Sequence, residues 1–158
     1  MTERFVLGGS LRRWIDDPRP PTAVAPEMVE AGAIYRRGLH YGIGVGGGQL
    51  IDCDDGRGRE PVRLVSWSDF SAGRPVFELD DSDGYLHAHW LWRRRYRCRP
   101  RQETVRRARQ FLSWRGRYDL AGAGGVNCIM FALYCKAEEY ERPEAVPWIA
   151  CEHDVKLK

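Results

Sequence analysis

The sequence contains no run of about 18 apolar residues, the length that a helix needs to cross a bilayer. Its opening segment, MTERFVLGGSLRRWIDDPRPPT, lacks the apolar stretch of a secretory signal peptide. Internal repeats are also absent, which argues against solenoids and propellers. From these absences we expect a cytoplasmic protein.

No two cysteines are separated by just two residues, although the chain has five. The odd number and wide spacing argue against a disulfide framework and a zinc finger. His87 and His89 have a metal-like spacing, but no third ligand lies near them in the sequence. We therefore expect neither a metal nor another cofactor. The cysteines are Cys53, Cys98, Cys128, Cys135 and Cys151.

What is present indicates one α+β domain in 158 residues. Residues 1–30 are proline-rich and predict a weakly ordered N-terminal arm, residues 31–140 a folded domain, and residues 141–158 a C-terminal tail. Six short segments predict a small antiparallel sheet. They are AGAIYRR, HYGIGVG, QLIDCD, PVRLVSW, RPVFELD and YLHAHWLW. An amphipathic helix in QETVRRARQFLSWRG and a helix buried all round in VNCIMFALYCKAEEY follow.

The segment HYGIGVGGGQLID, residues 40–52, predicts a β-hairpin. It contains G-x-G-x-x-G, but a strand follows where a dinucleotide site needs a helix. A turn centred on Gly47 pairs Gly42 with Asp52 and His40 with Asp54, so that His40 and both aspartates share one face. The glycines on that face predict close packing of the cysteine helix. Alternatively, the aspartates are solubilising acids at a strand end, and another register would turn Asp52 away.

Cys128 lies in the first turn of the predicted buried helix, after the flexible segment GAGGV. Unpaired N–H groups and the positive end of the helix dipole at this position favour a thiolate and could hold an oxyanion. Cys128 is therefore a candidate nucleophile. The alternative is that it is a buried structural cysteine, as Cys135 on the same helix is expected to be.

Two widely separated motifs resemble the lecithin:retinol acyltransferase-like (LRAT-like) family, a circularly permuted branch of the NlpC-type papain-like superfamily. They are HYGIGVGGGQLID and ETVRRARQFLSWRGRYDLAGAGGVNCIMFALYC, and the resemblance covers roughly residues 31–136. It implies a circularly permuted papain-like fold in which a small antiparallel sheet packs on the buried cysteine helix. It further implies that Cys128 is the nucleophile, His40 the base and Asp52 the residue that orients His40.

The sequence departs from the family pattern in three places. Asp52 stands where the lipid-acting members usually have a second histidine. Ile129 and Met130 replace the two polar residues that usually follow Cys128, and AGAGG lengthens the segment after Tyr118. All three departures keep the candidate catalytic groups, and the first two weaken the inference that this chain shares the substrate class of the family.

The tract HWLWRRRYRCRPR interleaves aromatic residues with six arginines and contains no acid. Arginine binds phosphate and tryptophan favours membrane interfaces, so Arg93, Arg94, Arg95 and Trp92 are candidate substrate-binding residues. An anionic membrane surface is a candidate peripheral partner, whereas a nucleic-acid partner is disfavoured. The alternative is a solvated edge strand whose charges oppose aggregation.

The resemblance thus implies a thiol-dependent acyltransferase or hydrolase that forms an acyl-cysteine on a phospholipid or another acyl-bearing small molecule. A cysteine peptidase or amidase of the same superfamily, and a non-catalytic binding module, remain as alternatives. The sequence does not indicate an oligomeric state.

Overall fold

The computed structural model describes residues 23–55, 60–87, 95–119 and 124–146. These ranges form seven strands and three α-helices, which confirms the predicted α+β class. The strands are β1 (Ile34–Arg37), β2 (His40–Gly46), β3 (Gln49–Cys53), β4 (Val62–Ser66), β5 (Phe77–Glu78), β6 (Tyr85–His87) and β7 (Arg95–Arg97). The helices are α1 (Trp67–Ser71), α2 (Arg101–Gln110) and α3 (Cys128–Lys136). Short 3-10 helices span Pro26–Met28, Phe111–Ser113 and Pro143–Ala145.

The main sheet has five strands in the order β4-β3-β2-β1-β5, and every neighbouring pair is antiparallel. Strands β6 and β7 form a separate antiparallel pair. In the β2–β3 hairpin Gly42 lies opposite Asp52, which confirms the register predicted from the turn. The register then shifts between Gly44 and Gly46, so the irregularity lies at the turn and leaves the pairing of Asp52 unchanged.

The predicted packing of the cysteine helix on the glycine face is wrong. Helix α3 belongs to a core, here the helix-side core, that includes Ile43 and its neighbours on the other face of β2. The glycine face instead packs on a second core around Phe70, because a side chain at Gly42 would come within 2.7 Å of that ring. Strand β2 is therefore covered on both faces, and its glycines make room for an aromatic ring rather than for a helix.

The last residues of the predicted arm are packed against the sheet, which differs from the weak order expected there. The N–H of Val24 donates to the carbonyl of Val76 over 2.8 Å, and Val29 is buried in the second core. At the other end, Val146 at the start of the predicted tail is buried in the helix-side core. Residues 1–22 and 147–158 of these two segments lie outside the described residues.

Helix α3 is shorter than the predicted segment and ends at Lys136. Beyond it the chain turns extended, since Ala137 forms a bridge with Cys98 and the N–H of Glu138 donates to the carbonyl of Arg97. The buried ammonium of Lys136 donates to the carbonyl of Gly32 over 2.8 Å and pairs with Asp81. These bonds fix the C-terminal end of α3 to the segments that contain Gly32 and Asp81. The position of its N-terminal end, where Cys128 lies, is fixed as a result.

Candidate active site

The β2–β3 hairpin brings His40 and Asp52 together. His40 begins β2 and Asp52 is the fourth of the five residues of β3, on the same side of the sheet. Their side chains meet over 2.8 Å between Nε2 of His40 and Oδ2 of Asp52. Asp52 is only 2% exposed, so its carboxylate faces the imidazole rather than solvent. This geometry leaves Nδ1 as the ring nitrogen available to a second partner.

Asp54, the other acid that the hairpin placed near His40, has a different partner. Its Oδ2 accepts a hydrogen bond of 3.2 Å from Nη2 of Arg63. The same nitrogen lies 3.5 Å from Oδ1 of Asp52, which is an ion-pair distance and too long for a good hydrogen bond. Asp52 therefore faces a cation on each side, while Asp54 accepts from Arg63 and from the N–H of Asp55.

Sequence reasoning missed Arg63, although the register explains its position. Arg63 lies directly opposite Asp52 in the β3–β4 pair. Opposite residues of an antiparallel pair project to the same side of the sheet, so the guanidinium reaches the buried carboxylate. The alternation of side chains along VRLVS could have indicated which face of the sheet Arg63 lies on. It could not have indicated which residue of the neighbouring strand Arg63 contacts.

Cys128 is the first residue of α3, at the end of the sheet where His40 lies. Its thiol donates to the carbonyl of Leu39 over 3.7 Å, and the residue is 5% exposed. Leu39 belongs to the tight turn between β1 and β2 and directly precedes His40. The helix reaches this turn from the opposite face of the sheet, so the contact is made around the end of β2.

The surroundings of His40 favour its protonated form. Burial alone would lower the pKa of His40, but hydrogen bonds to Asp52 and to the sulfur of Cys128 outweigh it and raise the pKa to about 9. The pKa of the imidazole is therefore high enough for His40 to carry a proton near neutral pH. A thiolate beside an imidazolium is the reactive form of a nucleophilic cysteine.

Asn127 caps the helix that carries Cys128. Its Oδ1 accepts from the N–H groups of Ile129 and Met130 over 3.0 and 2.9 Å. These are two of the N–H groups that a helix start leaves without an intrahelical partner. Because both of these N–H groups bond to Asn127, the N–H of Cys128 is the backbone donor of this turn that lies nearest to the sulfur. Sequence reasoning missed this role, although an asparagine directly before a helix is a typical N-cap.

Three further side chains border the site. The ring of Phe70 packs on the imidazole of His40 with their centroids 5.4 Å apart, on the side left open by Gly42. Burial, together with the proximity of Cys128, raises the pKa of Tyr118 above its ordinary value, so its hydroxyl stays protonated. Burial likewise raises the pKa of Cys53, which keeps this neighbouring thiol unreactive.

The predicted substrate-binding tract falls mainly outside the described residues. Trp92, Arg93 and Arg94 lie there entirely, and only the backbone of Arg95 is described, as the start of β7. Their proposed role in binding substrate stays a prediction.

None of the helices in the described ranges is long and apolar enough to cross a membrane.

The residues that the structure describes hold no group of three or more histidine, cysteine or acidic side chains placed to bind a metal ion. His89, one of the two histidines with metal-like spacing, lies outside them.

Comparisons of the chain with family models, curated proteins and solved structures found no match.

Proposed function

We propose that this protein is a thiol-dependent acyltransferase or hydrolase that works through an acyl-cysteine on a circularly permuted papain-like scaffold. The observation that carries the proposal is the position of the Cys128 thiol at the carbonyl of Leu39, directly before His40, whose imidazole lies 2.8 Å from the buried carboxylate of Asp52. A nucleophile, a base and a group that orients the base are the three parts that cysteine acyl chemistry requires. The resemblance to LRAT-like proteins supports the same roles.

In the proposed first half-reaction, Nδ1 of His40 takes the proton from the thiol of Cys128. The thiolate then attacks the carbonyl carbon of an ester, thioester or amide, and a carbon–sulfur bond forms. In this proposal the N–H of Cys128 stabilises the oxyanion that forms as the carbonyl π-bond breaks. The intermediate collapses with cleavage of the bond to the leaving group, which takes the proton from the imidazolium of His40.

In the second half-reaction, the acyl group leaves Cys128. Water gives hydrolysis, whereas a hydroxyl or amine of a second substrate gives acyl transfer. In both cases His40 removes a proton from the attacking group and returns one to the departing sulfur. Asp52 supports both steps because its carboxylate holds the imidazole in one orientation and stabilises the imidazolium.

A peptidase or amidase of the same superfamily is the second candidate, and Asp52 is the observation that favours it. The lipid-acting relatives implied by the resemblance usually have histidine at this position, and a carboxylate is the stronger stabiliser of an imidazolium. The chemistry at Cys128 is the same, and only the leaving group differs.

The test is intact-protein mass spectrometry after incubation with mixed phospholipids, short p-nitrophenyl esters and peptide amides, with peptide digestion to locate any adduct. We expect an acyl mass on Cys128 that is lost in Cys128→Ala. In His40→Gln the rate of acylation should fall by about 100-fold or more, which is the usual size of a general-base effect. The substrate that leaves an adduct identifies the bond.

Cys98 provides a matched control, because burial raises its pKa to about 11 and it has no comparable histidine partner among the described contacts. In the variant Cys98→Ser, the substrate should acylate Cys128 at the wild-type rate. Iodoacetamide should label Cys128 faster than Cys98 at pH 7. No adduct with any of the three substrate classes, together with equal labelling of the two thiols, would refute the proposed function and favour a binding module.

A further inference from the structure

Arg37 is the neighbour of His40 on the adjoining strand. It ends β1 and is the direct cross-strand partner of His40. Directly opposite side chains of an antiparallel pair share one face, with Cβ atoms about 4.5 to 5.5 Å apart. The side chain of Arg37 therefore starts from the same face as the candidate base, beside the turn whose Leu39 carbonyl accepts from Cys128.

Arg37 has a buried donor that nothing in the described ranges satisfies. Its Nε is buried without a hydrogen-bond partner, and no carboxylate of residues 23–55, 60–87, 95–119 or 124–146 pairs with it. The two acids of the hairpin have other partners, since Oδ2 of Asp52 meets His40 and Oδ2 of Asp54 meets Arg63. A buried N–H without an acceptor costs free energy, which an incoming acceptor would recover.

A second arginine lies at the same turn. Nη1 of Arg74 is 4.0 Å from the position that a Cβ on Gly38 would occupy. Gly38 connects Arg37 to Leu39, so Arg74 lies over the turn that borders the Cys128 thiol. Arg74 is exposed and has no acid partner in the part of the chain that the structure describes. The two guanidinium groups thus flank one short turn, and no acid of residues 23–55, 60–87, 95–119 or 124–146 forms an ion pair with either of them.

We propose that Arg37 and Arg74 form a subsite for an anionic group, a carboxylate or a phosphate, carried by the substrate beside the carbonyl that Cys128 attacks. Guanidinium groups bind both of these anions through two parallel hydrogen bonds. Carboxylate and phosphate share the feature that is recognised, which is a set of anionic oxygens on one planar or tetrahedral centre. The inference rests on the proposed function and adds to it a substrate class: acyl compounds that bear a negative charge near the reacting carbonyl.

The first test does not require turnover. Iodoacetate and iodoacetamide alkylate a thiolate by the same displacement of iodide but differ in charge. We expect the ratio of their rates at Cys128, measured by peptide mass spectrometry at pH 7, to fall about tenfold in Arg37→Gln, the size of one lost charge-assisted hydrogen bond. Arg37→Lys should restore part of the ratio, and the double variant with Arg74→Gln should lower it further.

Arg109 supplies the matched control, because it is an exposed arginine on α2 with no role in the site. Arg109→Gln should leave the alkylation ratio at the wild-type value. An equal fall in Arg109→Gln and Arg37→Gln would mean that net charge alone attracts iodoacetate, and it would overturn the subsite. An unchanged ratio in Arg37→Gln would overturn it as well.

Two pairs of esters then separate the sources of the anion. One pair is p-nitrophenyl butyrate and the mono-p-nitrophenyl ester of glutaric acid, and the other is butyrylglycerol and butyrylglycerol phosphate. A ratio of kcat/KM above about tenfold in favour of the charged ester identifies carboxylate or phosphate as the ligand. Turnover with ratios near one in both pairs would overturn the subsite and leave the proposed function standing. A fall in the alkylation ratio without turnover of any ester would support the anion site and refute the acyl chemistry.

Discussion

The ionisation of His40 offers the sharpest test of the site. Asp52→Asn keeps the shape of the side chain but removes the negative charge that lies 2.8 Å from Nε2. Burial by itself lowers the pKa of His40, and the bond to Asp52 is the largest of the influences that raise it. We therefore expect the pKa of His40 to fall in Asp52→Asn from about 9 toward or below its ordinary value of 6.5.

The magnitude follows from the pKa. A rise from 6.5 to about 9 corresponds to about 3 kcal/mol of preferential stabilisation of the imidazolium, at about 1.36 kcal/mol per pKa unit. Because the pKa in the folded state is the higher one, this stabilisation is complete below pH 6.5 and is lost as the pH rises through 9. The free energy of unfolding of the wild type should therefore fall by about 3 kcal/mol more than that of Asp52→Asn over this interval.

Two measurements check this prediction. Imidazole resonances followed by NMR from pH 5 to 10 give the pKa directly, and His40→Gln assigns the signal among the four histidines. Urea unfolding over the same pH range gives the difference in slope. Asp54→Asn is the control, because Asp54 bonds Arg63 and not His40. A pKa of His40 that stays near 9 in Asp52→Asn, or falls equally in Asp54→Asn, would refute the reasoning.

Two stability predictions concern the supports of the site. Gly42→Ala places a Cβ 2.7 Å from the ring of Phe70, so we expect a loss of about 1–3 kcal/mol in urea unfolding and a shifted His40 resonance. A Gly42→Ala variant more stable than the wild type would show that the ring of Phe70 can move aside without a loss of folding free energy. Asn127→Ala removes both cap bonds and should cost about 1–2 kcal/mol, whereas Asn127→Asp should retain most of the stability. Equal stability of these two Asn127 variants would contradict the capping role.

The pairing of His40 with Asp52 could be predicted because it is local. A short glycine turn joins the two strands, and the two-residue period of a strand then decides which side chains share a face. The register from Gly42 to Gly44 follows this expectation. The irregularity at Gly46 could not be predicted, since three consecutive glycines permit several turns.

The side of the sheet on which α3 packs could not be predicted from β2. Small and large residues alternate along this strand, and the glycines were expected to admit the helix. Both faces are buried, and either could accept a helix or an aromatic ring. Phe70 decides the choice, because α1 follows β4 directly and places this ring against Gly42. The short helix α1 was itself not predicted, since its residues continue an apparently strand-like segment.

The sequence by itself determined the elements and the local pairings: the α+β class, the hairpin register, and a buried helix with Cys128 in its first turn. Only the tertiary structure decided that Arg63 meets Asp52, and that Arg37 shares the face of His40 and pairs with no acid among the residues that the structure describes. It also decided that Cys128 reaches the turn at Leu39 around the end of the sheet. The reason is physical, because periodicity acts over a few residues, whereas contacts between distant segments depend on how two cores fill the space on either side of one sheet.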